Sequence, residues 1–99
     1  MRIIDKNIDN LKKLCLIYNV EKMYLFGSSL NSRFNEKSDI DLLVKFKQIE
    51  LSKYFDNYID FKEKLESLFG REVDLLEEQT LKNPILIKSI EDSKELIYG

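Results

Sequence analysis

The sequence predicts an α/β (α+β) domain in which helices pack on a small mixed sheet, and three observations point there. Apolar residues at helical spacing alternate with short runs of strand formers, in the order helix, strand, short helix, strand, helix, strand, helix, strand. The strand-like run at 39–46 has one wholly apolar face, as a central strand covered by helices requires. The chain of 99 residues has room for one core and none for a second, so a single domain over residues 1–99 is expected.

Residues 7–18 place Ile8, Leu11, Leu14, Cys15 and Tyr18 at helical spacing, with Asn7 as the candidate N-cap. Met23-Tyr24-Leu25-Phe26 is short, rich in strand formers and ends at Gly27, which reads as a buried strand. From Ser28 to Lys37 the chain is polar, a turn opening a short helix and then a loop. In the second strand Ile40, Leu42, Val44 and Phe46 share one face; Asp39, Asp41, Leu43 and Lys45 share the other. Ser52 is the candidate cap of a helix over 52–69 with a stripe of Phe55, Tyr58, Phe61, Leu65 and Leu68, and Gly70 stands where a left-handed C-cap belongs. Residues 72–76 form a third strand. Asn83-Pro84 opens a helix to residue 92, a cap followed by proline at the first helical position. Leu96-Ile97-Tyr98 reads as a final edge strand.

Composition excludes several chemistries. There is no histidine, which removes Ser-His-Asp and Cys-His schemes, His-ligated zinc and histidine general bases. The single cysteine, Cys15, cannot form an internal disulfide and lies on the apolar side of the first helix. No apolar run approaches the roughly 20 residues that span a bilayer, and the N-terminus lacks a secretory apolar region. A soluble cytoplasmic protein without membrane contact is expected. The net charge of -2 gives no basic footprint for nucleic acid.

The chemistry concentrates between residues 27 and 44. Gly27-Ser28 follows a strand and opens a helix, where glycine lets a ligand approach the backbone and free N–H groups favour phosphate. The hydroxyl of Ser28 or Ser29 adds a donor. Ten residues later, Asp39 and Asp41 share one face of a strand, with backbones about 6.6 Å apart. Their carboxylates can converge on one Mg²⁺, or on two ions about 3.5–4 Å apart. Alone, a Gly-Ser pair is an ordinary turn and an Asp-x-Asp an ordinary solvated strand end. Together at this separation they arise by chance in on the order of one chain in a thousand. Asp74, in the third strand, is the candidate third carboxylate, placed to bind the second metal and to deprotonate or orient an attacking hydroxyl. The pattern indicates a site that handles a nucleoside triphosphate. Tyr54, Phe55, Tyr58 and Phe61 read as core aromatics, and any overspill onto the surface would suit a protein partner.

Gly27-Ser28, ten residues, Asp39-Ile40-Asp41 resembles the signature of the polymerase β-type nucleotidyltransferases, and the run SDIDLLV resembles that of the minimal nucleotidyltransferase (MNT domain) proteins. The resemblance implies a polymerase β-like fold and Mg²⁺-dependent transfer of a nucleoside monophosphate from an NTP, with two metal ions held by Asp39, Asp41 and Asp74. It also implies a HEPN-domain protein partner in a toxin–antitoxin pair, neutralised by addition of AMP to a tyrosine. Many relatives read Gly-Ser-x-Ala-Arg-Gly, where this chain has Asn31 and Ser32 in place of the arginine and second glycine. Arg33, or Lys37, is the candidate replacement cation for the nucleotide.

The leading expectation is therefore transfer of AMP from ATP to a hydroxyl of a protein partner. Two others differ in kind. One is a binding module of the same fold that neutralises its partner by contact, motivated by the missing arginine. The other is transfer to a small molecule or RNA end, which the acidic balance disfavours.

Overall fold

The computed structural model describes residues 3–27 and 39–99. Their elements build on one four-stranded mixed sheet. Helix α1 (Ile3–Lys6) and helix α2 (Ile8–Ile17) lead into strand β1 (Val20–Leu25); strand β2 (Ile40–Phe46) is followed by helix α3 (Leu51–Phe69), strand β3 (Val73–Glu77), a 3-10 turn (Glu78–Thr80), helix α4 (Pro84–Ser93) and strand β4 (Glu95–Tyr98). The sheet order is β3-β2-β1-β4. β1 runs antiparallel to β2 and β4, and β2 runs parallel to β3 across the α3 crossover.

β2 is central, as its apolar face requires. Ile40, Leu42, Val44 and Phe46 enter the main core with Leu11 and Cys15 of α2 and Phe61, Leu65 and Phe69 of α3. Aromatic rings organise this layer: the Phe61 ring lies 5.4 Å from Tyr18, tilted to it, and 6.0 Å from Phe46, edge to face. Burial pushes the Cys15 thiol up to about 12, so it behaves as a small core hydrophobe. On the opposite sheet face Leu43, Phe26 and Ile90 form a second, smaller cluster with Tyr24, Leu76 and Leu81. Helix α4 covers that face through Ile90.

Local signals act as expected at several ends. Gly70 adopts φ 68° at the close of α3. The Asn83 side chain accepts hydrogen bonds from the N–H groups of Ile85 and Leu86, capping α4 behind Pro84. A register shift between Val20 and Lys22 places both Val20 and Met23 on the core face, although they are three apart.

Three expectations need correction. Asn7 precedes α2 but makes no side-chain cap; its Nδ2 donates instead to the Ile3 carbonyl at 2.9 Å, tying α2 to the short helix α1. Glu50, not Ser52, stands at the N-cap of α3, without a side-chain cap. Phe55 is not part of the α3 core stripe. It is 69% exposed, and the buried line runs through Phe61, Leu65 and Phe69, with Tyr54 and Tyr58 packed half-buried against it. The reason is phase: Leu51, Phe55 and Ile59 form a separate i, i+4 line on the flank of the helix. The short helix expected after Ser28 lies outside the described residues.

Candidate functional site

Antiparallel pairing brings the end of β1 beside the start of β2. Leu25 pairs with Leu42, and the Phe26 N–H donates to the Asp41 carbonyl at 3.2 Å. The next residue, Gly27, turns out of the sheet with φ 66°. A Cβ at this position would lie 2.6 Å from Asp41 Oδ2 and 3.3 Å from its Cγ. Two demands therefore fix glycine here: a left-handed backbone, and room for a carboxylate resting against the turn.

Asp41 meets Asp74 on its other side. β2 and β3 start together, with the Ile40 N–H donating to the Glu72 carbonyl at 3.1 Å. In this parallel register Asp41 is the partner of Asp74, their backbones about 4.8 Å apart. Alternation puts both carboxylates on the same sheet face as Leu43 and Leu76, beyond the end of the small cluster that α4 covers. Asp74 is exposed and Asp41 partly buried. Asp39 stands one residue before β2, exposed, with the alternation of Asp41. Among the described residues no group of three His, Cys, Asp or Glu side chains is drawn in to metal-ligating distance. Adjacent like charges on neighbouring strands repel, and exposed side chains can splay.

The donor set is chemically suited to Mg²⁺: hard carboxylate oxygens, few in number, which leave coordination positions for water and phosphate. The Asp41 carboxylate resting against the Gly27 turn is part of that fit. Ser28, Ser29, Arg33, Asn31, Ser32 and Lys37 lie outside the described residues. Lys45 shares the carboxylate face, but its ammonium is engaged with Glu21 at 3.2 Å, toward the far end of β2.

One carboxylate escaped the sequence reading. Glu77, at the end of β3, is only 5% exposed, and its Oε1 has no hydrogen-bond partner among the described residues. Burial raises its pKa above the ordinary 4.5, partly offset by hydrogen bonds from the backbone N–H groups of Gln79 and Thr80. The signal was present: Val73, Leu75 and Glu77 alternate onto the buried face.

The profile of the nucleotidyltransferase domain family matches residues 8–97. The chain belongs to that family. This nucleotidyltransferase is 38% identical over 81 residues to a Methanocaldococcus jannaschii protein provisionally named a protein adenylyltransferase, covering 82% of this chain and 78% of the relative. Its fold is similar to a solved structure provisionally described as a minimal nucleotidyltransferase, with a TM-score of 0.78 and 26% identity over 96% of this chain and 95% of the other. It also shares the fold of a chain in the solved complex of a tri-AMPylated Shewanella oneidensis HEPN toxin with MNT antitoxin, with a TM-score of 0.68 and 22% identity over 100% and 73% of the two chains. The polymerase β-like architecture expected from the motif is thus the observed one. No helix among the described residues is long and apolar enough to cross a membrane.

Proposed function

We propose that this nucleotidyltransferase transfers AMP from ATP to a hydroxyl of a HEPN-domain protein, acting as the antitoxin of a toxin–antitoxin pair, with residues 1–99 as its one catalytic domain and the cytoplasm as its setting. The observation that carries the reading is the contact of Gly27 with Asp41, in register with Asp74. A glycine turn and paired carboxylates are the two halves of a triphosphate site, and Gly27 and Asp41 lie side by side. The names of the relatives support the acceptor: one is named for adenylyl transfer to protein, and another complex holds an AMPylated HEPN toxin.

In this reading Gly27 lets the triphosphate lie against backbone, and Ser28 and Ser29 donate to its oxygens. Arg33 offsets its charge. Asp39, Asp41 and Asp74 would hold Mg²⁺, which when bound neutralises charge on the attacking and leaving oxygens of an in-line displacement. Asp74, at the open edge of the pair, orients the acceptor hydroxyl and takes its proton. The acceptor oxygen bonds to the α-phosphorus, the bond to the β-phosphate oxygen breaks, and pyrophosphate leaves.

The test is incubation with labelled ATP, Mg²⁺ and the HEPN-domain partner, followed by mass analysis of both proteins. One or more AMP additions on partner hydroxyls are expected. A partner that is neutralised yet carries no nucleotide would instead favour the contact-only reading, which rests on Asn31 in place of the family arginine.

A further inference from the structure

On the other side of β3 from the carboxylate face lies a second feature, in the angle between α3 and the end of the strand. A pocket of about 250 Å³ is lined by Tyr54, Tyr58, Leu75, Leu76, Glu77 and Thr80, with Phe55 at its rim. The two tyrosine rings stack 6.5 Å apart, and the Tyr58 hydroxyl donates to the Leu75 carbonyl, fixing that wall to the strand. Glu77 lines the pocket, and its buried Oε1 has no hydrogen-bond partner among the described residues. Nothing in the transfer chemistry uses these groups.

We infer that this pocket receives an arginine or lysine side chain presented by a protein partner, its cationic head meeting Glu77 beside the Tyr54 and Tyr58 rings. A buried carboxylate oxygen without a partner is costly, and a charge-assisted hydrogen bond from a cation is the interaction that most improves it. Aromatic faces add attraction for the same charge. The surrounding field has the matching sign, since Asp74 and Glu77 both act on Tyr58 and Glu78 acts on Glu77. A polypeptide is favoured over a free amine by what lies outside the pocket. Leu51 is 88% and Phe55 69% exposed, one turn apart on α3, and Ile59 continues the line. A small amine would leave this apolar ridge in water, whereas a chain segment with apolar residues flanking its cation would cover it. The pocket is also smaller than sites that enclose a drug-sized ligand, of about 300 Å³ upward.

Binding at this pocket is separable from nucleotide transfer. The wild-type chain is titrated with acetyl-Leu-Arg-Leu-amide, with its citrulline counterpart and with methylguanidinium, followed by amide and carboxyl NMR. The arginine peptide should shift the Gln79 and Thr80 amides and lower the Glu77 titration midpoint. It should bind about tenfold or more tightly than the citrulline peptide, the worth of one charge-assisted bond. Glu77→Gln should erase that preference, and Phe55→Ser should weaken the peptide without changing methylguanidinium binding. Equal binding of the two peptides, an unmoved Glu77 midpoint, or methylguanidinium binding as tightly as the peptide would each overturn the inference, as would no binding at all. The Glu77 midpoint is read on wild-type protein, so a poorly folding variant leaves the test intact.

Discussion

Gly27→Ala separates the two demands placed on Gly27, because Gly70 provides a control. Gly70 has nearly the same left-handed backbone, φ 68° against 66°, but a Cβ there would meet nothing within 4 Å. Alanine in this conformation costs about 1–2 kcal/mol at either site. In a domain of this size each kcal/mol lowers the melting temperature by about 4–8 °C. At Gly27 the new methyl also starts 2.6 Å from Asp41 Oδ2, so restoring van der Waals separation requires a carboxylate movement of about 1 Å. Oδ2 ends a short, partly buried side chain, so the stability cost of that movement is small. The functional cost is not, since a misplacement of about 1 Å can lower a rate about 100-fold. The expected result is two variants with similar thermal melts, of which Gly70→Ala labels its partner with AMP normally and Gly27→Ala is slower by about two orders of magnitude. Wild-type transfer by Gly27→Ala would show that the turn and Asp41 do not form the reacting site.

Three further outcomes follow from the packing. Phe61→Ala should lose about 3–5 kcal/mol in denaturant titration, since Phe61 is fully buried between Tyr18 and Phe46. Asn83→Ala should cost about 1 kcal/mol by removing the α4 cap, with amide exchange rising first at Ile85 and Leu86. The folded-state pKa of Glu77 is raised, so its contribution is fully present below the unfolded value near 4.5 and is lost as pH rises through the folded value. Melting temperatures of Glu77→Gln should therefore gain on wild type between pH 4 and pH 7, and a difference that is flat with pH would contradict the burial assignment.

Much of this fold is legible in the residues, because a strand with one wholly apolar face and helix ends marked by Gly70 and Asn83-Pro84 leave little choice. β2 reads as central from Ile40, Leu42, Val44 and Phe46, and α4 begins where Asn83-Pro84 says it should. The phase of α3 does not read off in the same way. Tyr54 and Phe55 are neighbours, each on a plausible i, i+4 line, and only packing, of Tyr54 against Phe46 of β2 and of Tyr58 against Leu75 of β3, selects Tyr54 and Tyr58 over Leu51, Phe55 and Ile59. The site divides similarly. Asp39, Asp41 and Asp74 are visible as residue types in strands, but the contact of Gly27 with Asp41 depends on the β1–β2 register, and the alignment of Asp41 with Asp74 on the β2–β3 register. No local pattern encodes either. Glu77 was hidden by its own chemistry, since a glutamate at a strand end normally marks the solvent face.

Titration with Mn²⁺, a paramagnetic substitute for Mg²⁺, asks whether Asp39, Asp41 and Asp74 hold metal for adenylyl transfer, as proposed. With a non-hydrolysable ATP analogue present, wild-type chain should take up two ions. Asp41→Asn and Asp74→Asn should each lose at least one while keeping the wild-type melting temperature. Undiminished ion uptake by both variants would show that the three carboxylates do not hold the metal.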